Sequence, residues 1–241
     1  MKRVILEIDL MQAESRFVAW DGPVRKMQQM YLDGTDIHKY VASIIYGCSI
    51  EAVTKDQRQL GKKSGHGANY KMTAPTFATS CLKEMDLVLN EREAERILQG
   101  YFRAWDGELE AWQNRICQEV MRKRFLTTPF GRKRYFYDRY GPDMEREAVA
   151  YRPQSTIPDI INFLAKRLYF QRPASSLKLL FQSHDAVYLE CDPSDEAKVV
   201  ECIKDQDAWN PRIKLLGGEL RIPIEIKRGF DLYNKEDVFA G

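Results

Sequence analysis

A chain of 241 residues, 44% hydrophobic and 30% charged, holds enough apolar material for one large domain or two small ones, and is not a disordered polymer. No apolar run approaches the roughly 20 residues of a membrane span, and the opening Met1-Lys-Arg-Val-Ile-Leu-Glu-Ile-Asp9 is charged too early for a secretory signal. Five scattered cysteines without a CxxC pair argue against a disulfide frame or zinc site and for reduced thiols in the cytoplasm, while a net charge of +2 gives no whole-molecule field for a polyanion.

Residues 3–8 alternate apolar and charged side chains and predict a strand that delivers Asp9 at its end. Helical spacing follows over 12–20, 24–32 and 36–46, then over 54–70 and 73–88 despite Gly61, Gly65 and Gly67. Asn90 with Glu93 resembles a capping box and opens the longest helical pattern, Ala94 through Trp105 and Trp112 to Val120. That aromatic stripe reads as core packing. Thr127–Gly131 reads as a turn and Arg132–Tyr137 as strand. Thr156 and Asp159 bracket the start of a helix to about Tyr169, with Pro158 in its first turn. Leu179–Glu190 reads as a hairpin whose polar Gln182-Ser-His-Asp185 puts a carboxylate at the tip. A helix over 194–206 and a strand pair around Gly217-Gly218 complete the chain. Strands at the start and in the last third, with helices between them, predict an α+β fold whose distant strands share one sheet.

Charge is segregated along this pattern. Lys55, Arg58, Lys62 and Lys63 form one basic segment, Arg122-Lys-Arg124 a second and Arg132-Lys-Arg134 a third. Each alone reads as a solvated face; together, beside glycines and aromatic residues, they suit a phosphate backbone.

Two constellations carry chemistry. Asp9 and Asp185, each at a strand end, are the residue type that holds two hard divalent cations for phosphoryl transfer, although either alone equally suits a cap or a turn. Arg58, Lys62, His66 and Tyr70 fall four apart, a helical stripe drifting about 40° per step. Cations suit a polyphosphate and rings suit a base or sugar. Three glycines between them, at about 1 kcal/mol each, are more than a solvated face requires.

In order along the chain, Asp9-x-x-Gln12-x-Glu14-x-Arg16, Arg58-x3-Lys62-x7-Tyr70 and Gln182-x-His184-Asp185 resemble motifs A, B and C of family A DNA polymerases. Asp36-Ile-His38, Thr128-Pro-Phe-Gly-Arg132-Lys-Arg134 and Arg146-x7-Gln154-x-Thr156-x-x-Asp159 resemble supporting segments in the family's order. The resemblance implies an antiparallel palm sheet with a mostly helical fingers subdomain, a right-hand polymerase fold without its thumb. Its parts would be palm over 1–50, fingers over 51–140 and palm again over 141–241.

The implied activity is DNA-directed DNA polymerisation from dNTPs on a primer–template. Asp9 and Asp185, with the Leu10 carbonyl, would ligate two Mg²⁺, with Mn²⁺ as a substitute. Arg58, Lys62 and His38 would hold the triphosphate, and Lys62 would protonate the leaving pyrophosphate. Gln12, Glu14, His66 and Tyr70 would complete the nucleotide site; Glu14, hydrogen-bonded to Tyr70, would exclude a ribose 2′-OH. Arg132, Arg134, Arg146, Gln154, Gln182 and His184 would lie along the DNA. The sequence departs from the family pattern at His66, where Phe or Tyr is usual, at Ala186, often Glu, at Ala150, often Asn, and at Lys71, usually Gly.

Only eight residues precede Asp9. The expectation is therefore one subunit of a split polymerase, its thumb and first palm strands supplied by a second polypeptide. Alternatives are a single-subunit RNA polymerase-like enzyme, against which Glu14 stands, and a non-catalytic DNA-binding remnant. No membrane association is expected.

Overall fold

The computed structural model describes residues 2–240. Strand β1 (Val4–Leu10) is followed by short helices α1 (Ala13–Asp21) and α2 (Arg25–Leu32). Helix α3 (Ile37–Tyr46) starts where the Asp36 carboxylate accepts from the Lys39 N–H (3.0 Å) and stops at Gly47, which supplies the left-handed φ of 65°. Helix α4 (Lys55–Asn69) opens on a Thr54/Gln57 capping box and α5 (Ala74–Met85) on Thr73 with a proline in its first turn. The Asn90/Glu93 box starts α6 (Glu91–Arg103).

The apolar period from Ala94 to Val120 belongs to two helices, not one. Asp106 and Gly107 take φ of 51° and 80°, so α6 ends and α7 (Glu108–Lys123) begins anew. The period survives the break because both helices bury the same kind of face. Strands β2 (Phe125–Thr127) and β3 (Lys133–Tyr135) then pair as a hairpin. The longest helix is α8 (Pro142–Gln171), 30 residues against the expected start near 156. It runs through Pro153 and Pro158, each of which removes one ladder hydrogen bond; the loss is tolerated within a long, regularly apolar helix.

Next come β4 (Lys178–Ser183), β5 (Ala186–Cys191), α9 (Glu196–Lys204), α10 (Gln206–Trp209), β6 (Ile213–Leu215), β7 (Gly218–Leu220), β8 (Ile224–Gly229) and β9 (Lys235–Ala240). The expected strand pair at 217–218 is the small β6–β7 hairpin. The larger β8–β9 hairpin lies outside the elements read from sequence, although Ile222, Ile224 and Ile226 alternate in the β manner.

The chain divides into two compact units. One comprises residues 1–14, 154–214 and 219–241; the other comprises 15–153 and 215–218. The cuts fall at 14 and 153, and within the second unit α3 packs against α4 and α6. The first unit is built on an antiparallel five-stranded sheet ordered β4-β5-β1-β8-β9. Its strands come from both chain ends, as the α+β reading requires. Leu6, Ile8, Leu10, Val187, Leu189, Ile224 and Ile226 are buried on one face, and Ile157, Ile160, Ile161, Leu164 and Leu168 form the buried stripe of α8. At the open edge, every residue of β4 through Gln182 is exposed, including Leu179, Leu180 and Phe181.

The second unit is helical around Phe17, Met27, Phe77, Trp105, Leu109 and Trp112, all fully buried. Each such side chain contributes about 1.5–3 kcal/mol of burial free energy. Asp21 sits in this core, accepting from Trp112 Nε1 (2.8 Å) and from Arg152 Nε and Nη2 (2.8 and 2.6 Å).

Candidate active site

In the sheet unit, β1 lies between β5 and β8, with Asp9 opposite Ala186 on one side and Glu225 on the other. Leu6, Ile8 and Leu10 point into the core, so period-2 alternation turns Glu7 and Asp9 to the other face. Ser183 pairs with Ala186, closing the β4–β5 hairpin on the two residues His184-Asp185. His184 holds φ 53°, a left-handed conformation that costs a non-glycine residue about 1–2 kcal/mol. The Leu10 N–H donates to the Asp185 carbonyl (3.0 Å) and the Met11 N–H to that of Pro223 (2.8 Å). Backbone bonds thus fix the carboxylate-bearing turn against the end of β1.

The electrostatics follow from that register. Burial first, then the Asp185 and Glu225 carboxylates, push the half-buried Asp9 up to about 7, with Lys227 acting in the opposite sense. Lys227 itself donates to Glu225 (2.7 Å), and Glu7 is ion-paired to Lys235. Asp9 therefore sits where negative charge is under-compensated, and its neighbours are oxygen donors. That donor set suits a hard divalent cation. Among the described residues no three His, Cys, Asp or Glu side chains converge as a metal cage, so Asp9 and Asp185 would share such an ion with backbone, water or substrate oxygens. A cleft of about 280 Å³ beside them is lined by Glu14, Gln154, Ile157, Pro158, His184 and Asp185. Four residues chosen from three separate sequence segments, Glu14, Gln154 and the adjacent His184 and Asp185, meet there.

In the helical unit, the α4 stripe is present but its members differ. Arg58 is half-buried and donates from Nε to Asp36 (2.6 Å). The same Asp36 caps α3, so one carboxylate ties the two helices together. His38 stands beside them; burial first and the Arg58 charge second press its imidazole down to about 4, so it is a neutral hydrogen-bonding group at pH 7. Lys62 and His66 are exposed. The His66 and Tyr70 rings meet edge to face, centroids 5.5 Å apart. Lys62, Lys63 and His66 line one side of a cleft of about 730 Å³ whose other walls include Tyr46, Glu84 and Leu87.

The glycines of α4 serve packing rather than the ligand face. A Cβ on Gly61 would overlap the His38 carbonyl oxygen, and one on Gly65 would lie 2.9 Å from Tyr101 Cε2. Both are buried, whereas the residue after each, Lys62 and His66, is exposed. The end of α4 is pinned by Gln113 Nε2, which donates to the carbonyls of Ala68 (2.7 Å) and Asn69 (3.1 Å), and by the Tyr101 hydroxyl donating to Asn69 (2.9 Å). Lys71 occupies φ 57°, the left-handed region that suits glycine, and is held there by Glu145 (2.8 Å).

The remaining residues chosen from sequence are dispersed. Arg132 and Arg134 lie on the β2–β3 hairpin, and Arg146 in the first turns of α8. Arg134 is ion-paired with Glu147 and Arg146 with Asp143. Gln12 has φ 51° just beyond β1, and Gln182 is exposed on the edge strand β4. Sequence reading missed Glu225 and Lys227 opposite β1, and Asp36 as the partner of Arg58. The Ile-x-Ile-x-Ile alternation around Glu225 is the signal that marks that strand.

A family profile described as DNA polymerase family A matches residues 1–231. The chain is 26% identical over 240 residues to the thermostable DNA polymerase I of Thermus thermophilus, covering 94% of this chain and 26% of that protein. It is likewise 26% identical over 224 residues to the DNA polymerase I of Aquifex aeolicus, covering 91% and 37%. The fold superposes on the POL domain of Pol1 from M. smegmatis, solved with DNA primer-template and dNTP, with a TM-score of 0.78 at 20% identity, covering 95% of this chain and 40% of that one. The chain therefore spans about a quarter to two fifths of the length of these relatives. It belongs to DNA polymerase family A.

Proposed function

We propose that this chain carries the nucleotidyl-transfer centre of a DNA-directed DNA polymerase. The supporting observation is the pairing of Asp9 and Asp185 at adjoining strand ends, with Asp9 in excess negative charge. In the reaction the primer 3′-oxygen attacks the α-phosphorus of a dNTP, the α–β phosphoanhydride breaks, and pyrophosphate leaves. Asp9, Asp185 and the Leu10 carbonyl would hold two Mg²⁺, which supply positive charge to the attacking and leaving oxygens. Arg58, Lys62 and the neutral His38 bind the triphosphate, and Lys62 gives a proton to the departing pyrophosphate. Gln12, Glu14, His66 and Tyr70 fit the sugar and base, with Glu14 denying room to a ribose 2′-OH. Arg132, Arg134, Arg146, Gln154, Gln182 and His184 contact the primer–template; Arg134 and Arg146 first exchange their carboxylate partners for phosphate. In this reading residues of the sheet unit are palm and those around α4 are fingers.

A second polypeptide supplying thumb and further palm strands completes the enzyme, which acts in the cytoplasm. One observation supports a partner: the exposed apolar edge strand β4. Among the described residues no helix is long and apolar enough to cross a membrane. The test is Mg²⁺-dependent primer extension by wild type and Asp185→Ala, alone and with copurified partner, offered dNTPs or rNTPs. Preference for rNTPs would refute the sugar assignment of Glu14.

A further inference from the structure

The β2–β3 hairpin carries a feature that the nucleotidyl-transfer reading does not use. Phe125 and Tyr135 face each other across the two strands, with ring centroids 5.5 Å apart. Tyr137, two residues on, lies 6.2 Å from Tyr135 with only 16° between ring planes. These rings line one face; Tyr135 and Tyr137 are open to solvent, 51% and 86% exposed, and Phe125 is half-buried. Tyr137 buries little beyond its contact with Tyr135.

The opposite face anchors the ladder. Phe136 is buried and meets Tyr151 edge to face at 6.3 Å, while the Tyr151 hydroxyl donates to the Arg132 carbonyl (2.9 Å). The Phe136 N–H donates to the Arg124 carbonyl (2.9 Å), and the tip is closed by Thr128 N–H to Arg132 carbonyl (2.8 Å) and Gly131 N–H to Thr128 carbonyl (2.9 Å). The rings are thus displayed on a hydrogen-bonded frame and lose little freedom when they bind.

Charge surrounds them. Residues 122–139 hold seven Lys and Arg against one carboxylate, with Glu119 of α7 paired to Lys123 and Glu147 of α8 to Arg134, in a chain of net charge +2. Lys133 Nζ lies over the Phe125 ring, 5.2 Å from its centroid, which leaves Tyr135 and Tyr137 as the rings open for stacking. Solvent-facing rings among cations are what an unpaired strand needs: phosphates meet the cations and bases stack on the rings without regard to sequence. Duplex DNA keeps its base faces covered and cannot use the rings.

We propose that the Phe125–Tyr135–Tyr137 ladder is a stacking platform for single-stranded DNA. The proposal rests on the polymerase reading and adds the form of DNA this hairpin takes, an unpaired strand such as template ahead of synthesis.

The test is fluorescence anisotropy with the full chain and three labelled probes at fixed salt: dT12, an abasic twelve-mer with the same phosphates, and a blunt duplex. Tyr137→Ala weakens dT12 binding at least about five-fold, the worth of one stacked base, and leaves the abasic strand and the duplex within two-fold. Tyr137→Phe retains wild-type affinity for dT12. Lys133→Gln weakens dT12 and abasic strand together and lowers the salt slope by about one. The proposal is overturned if dT12 does not bind, if Tyr137→Ala leaves dT12 affinity unchanged, or if it weakens all three probes equally. An unchanged salt slope for Lys133→Gln removes the cation from the platform. These affinities are independent of catalysis, so failure of primer extension would overturn the polymerase reading without altering them.

Discussion

Gly61 offers a case in which two physical effects predict opposite signs. By helix propensity alone, Gly61→Ala within α4 stabilises by about 1 kcal/mol. The structure opposes this: the new Cβ would overlap the His38 carbonyl oxygen and lie 3.2 Å from both the Ala42 Cβ and the Ala42 nitrogen. Those are mostly backbone atoms of α3, and backbone cannot rotate away as a flexible side chain does. Forcing one carbon into a packed helix contact costs about 1–3 kcal/mol, occasionally more. Overlap with a backbone oxygen puts that cost in the upper part of the range, about 2–3 kcal/mol, so the net expectation is destabilisation by about 1–2 kcal/mol, taken up as separation of α3 from α4. That separation strains the Arg58–Asp36 bond that joins the same two helices (2.6 Å). Urea unfolding followed by far-UV circular dichroism measures the effect as a lower midpoint at unchanged slope. Gly141→Ala, at a glycine with ordinary φ and nothing within 4 Å of the added carbon, serves as control and changes stability by less than about 0.5 kcal/mol. A Gly61→Ala protein as stable as wild type, or more so, would refute the close-packing account.

Three further outcomes follow from single groups. Asp21→Ala strands the Arg152 guanidinium and the Trp112 N–H in the helical core; it costs about 3–5 kcal/mol in urea, and Asp21→Ala combined with Arg152→Met recovers most of it. His38 has its folded pKa at about 4 against an ordinary 6.5, so below 6.5 the unfolded chain takes up the proton first. Its contribution is full above pH 6.5 and is lost as pH falls toward 4, by up to about 3 kcal/mol; His38→Gln should flatten that part of the stability–pH curve, and an identical curve would contradict the assignment. His184→Gly relieves the left-handed strain in the hairpin turn and raises the thermal midpoint by an amount corresponding to less than about 1 kcal/mol, while primer–template affinity falls because the imidazole is lost.

Much of this architecture was legible where local chemistry decides it. Capping residues Asp36, Thr54 and Asn90 begin the helices they mark, and alternation around Asp9 and Asp185 gives the strands that present them. Period alone could not show that α6 and α7 are separate, since a break needs only two left-handed residues and leaves the apolar stripe intact. Thr156 and Asp159, with Pro158 between them, read as a helix start that the buried stripe of α8 overrides. Strand β8 is paired with β1 from the far end of the chain, a non-local contact that no window of sequence contains. For the site, residue types were readable and partners were not: Glu225 opposite Asp9, Asp36 on Arg58 and Glu147 on Arg134 depend on tertiary register. The cost of the α4 glycines was readable in the sequence, but the close contacts of Gly61 with α3 and of Gly65 with Tyr101 were not.

The central claim is that Asp9 and Asp185 form one metal-dependent nucleotidyl-transfer centre. Primer extension in Mg²⁺ by Asp185→Ala, with primer–template affinity measured on the same protein, tests it most directly. The account predicts extension reduced by at least about a thousand-fold, equivalent to about 4 kcal/mol of transition-state stabilisation, with DNA affinity within a few-fold of wild type. Wild-type extension by Asp185→Ala would contradict it.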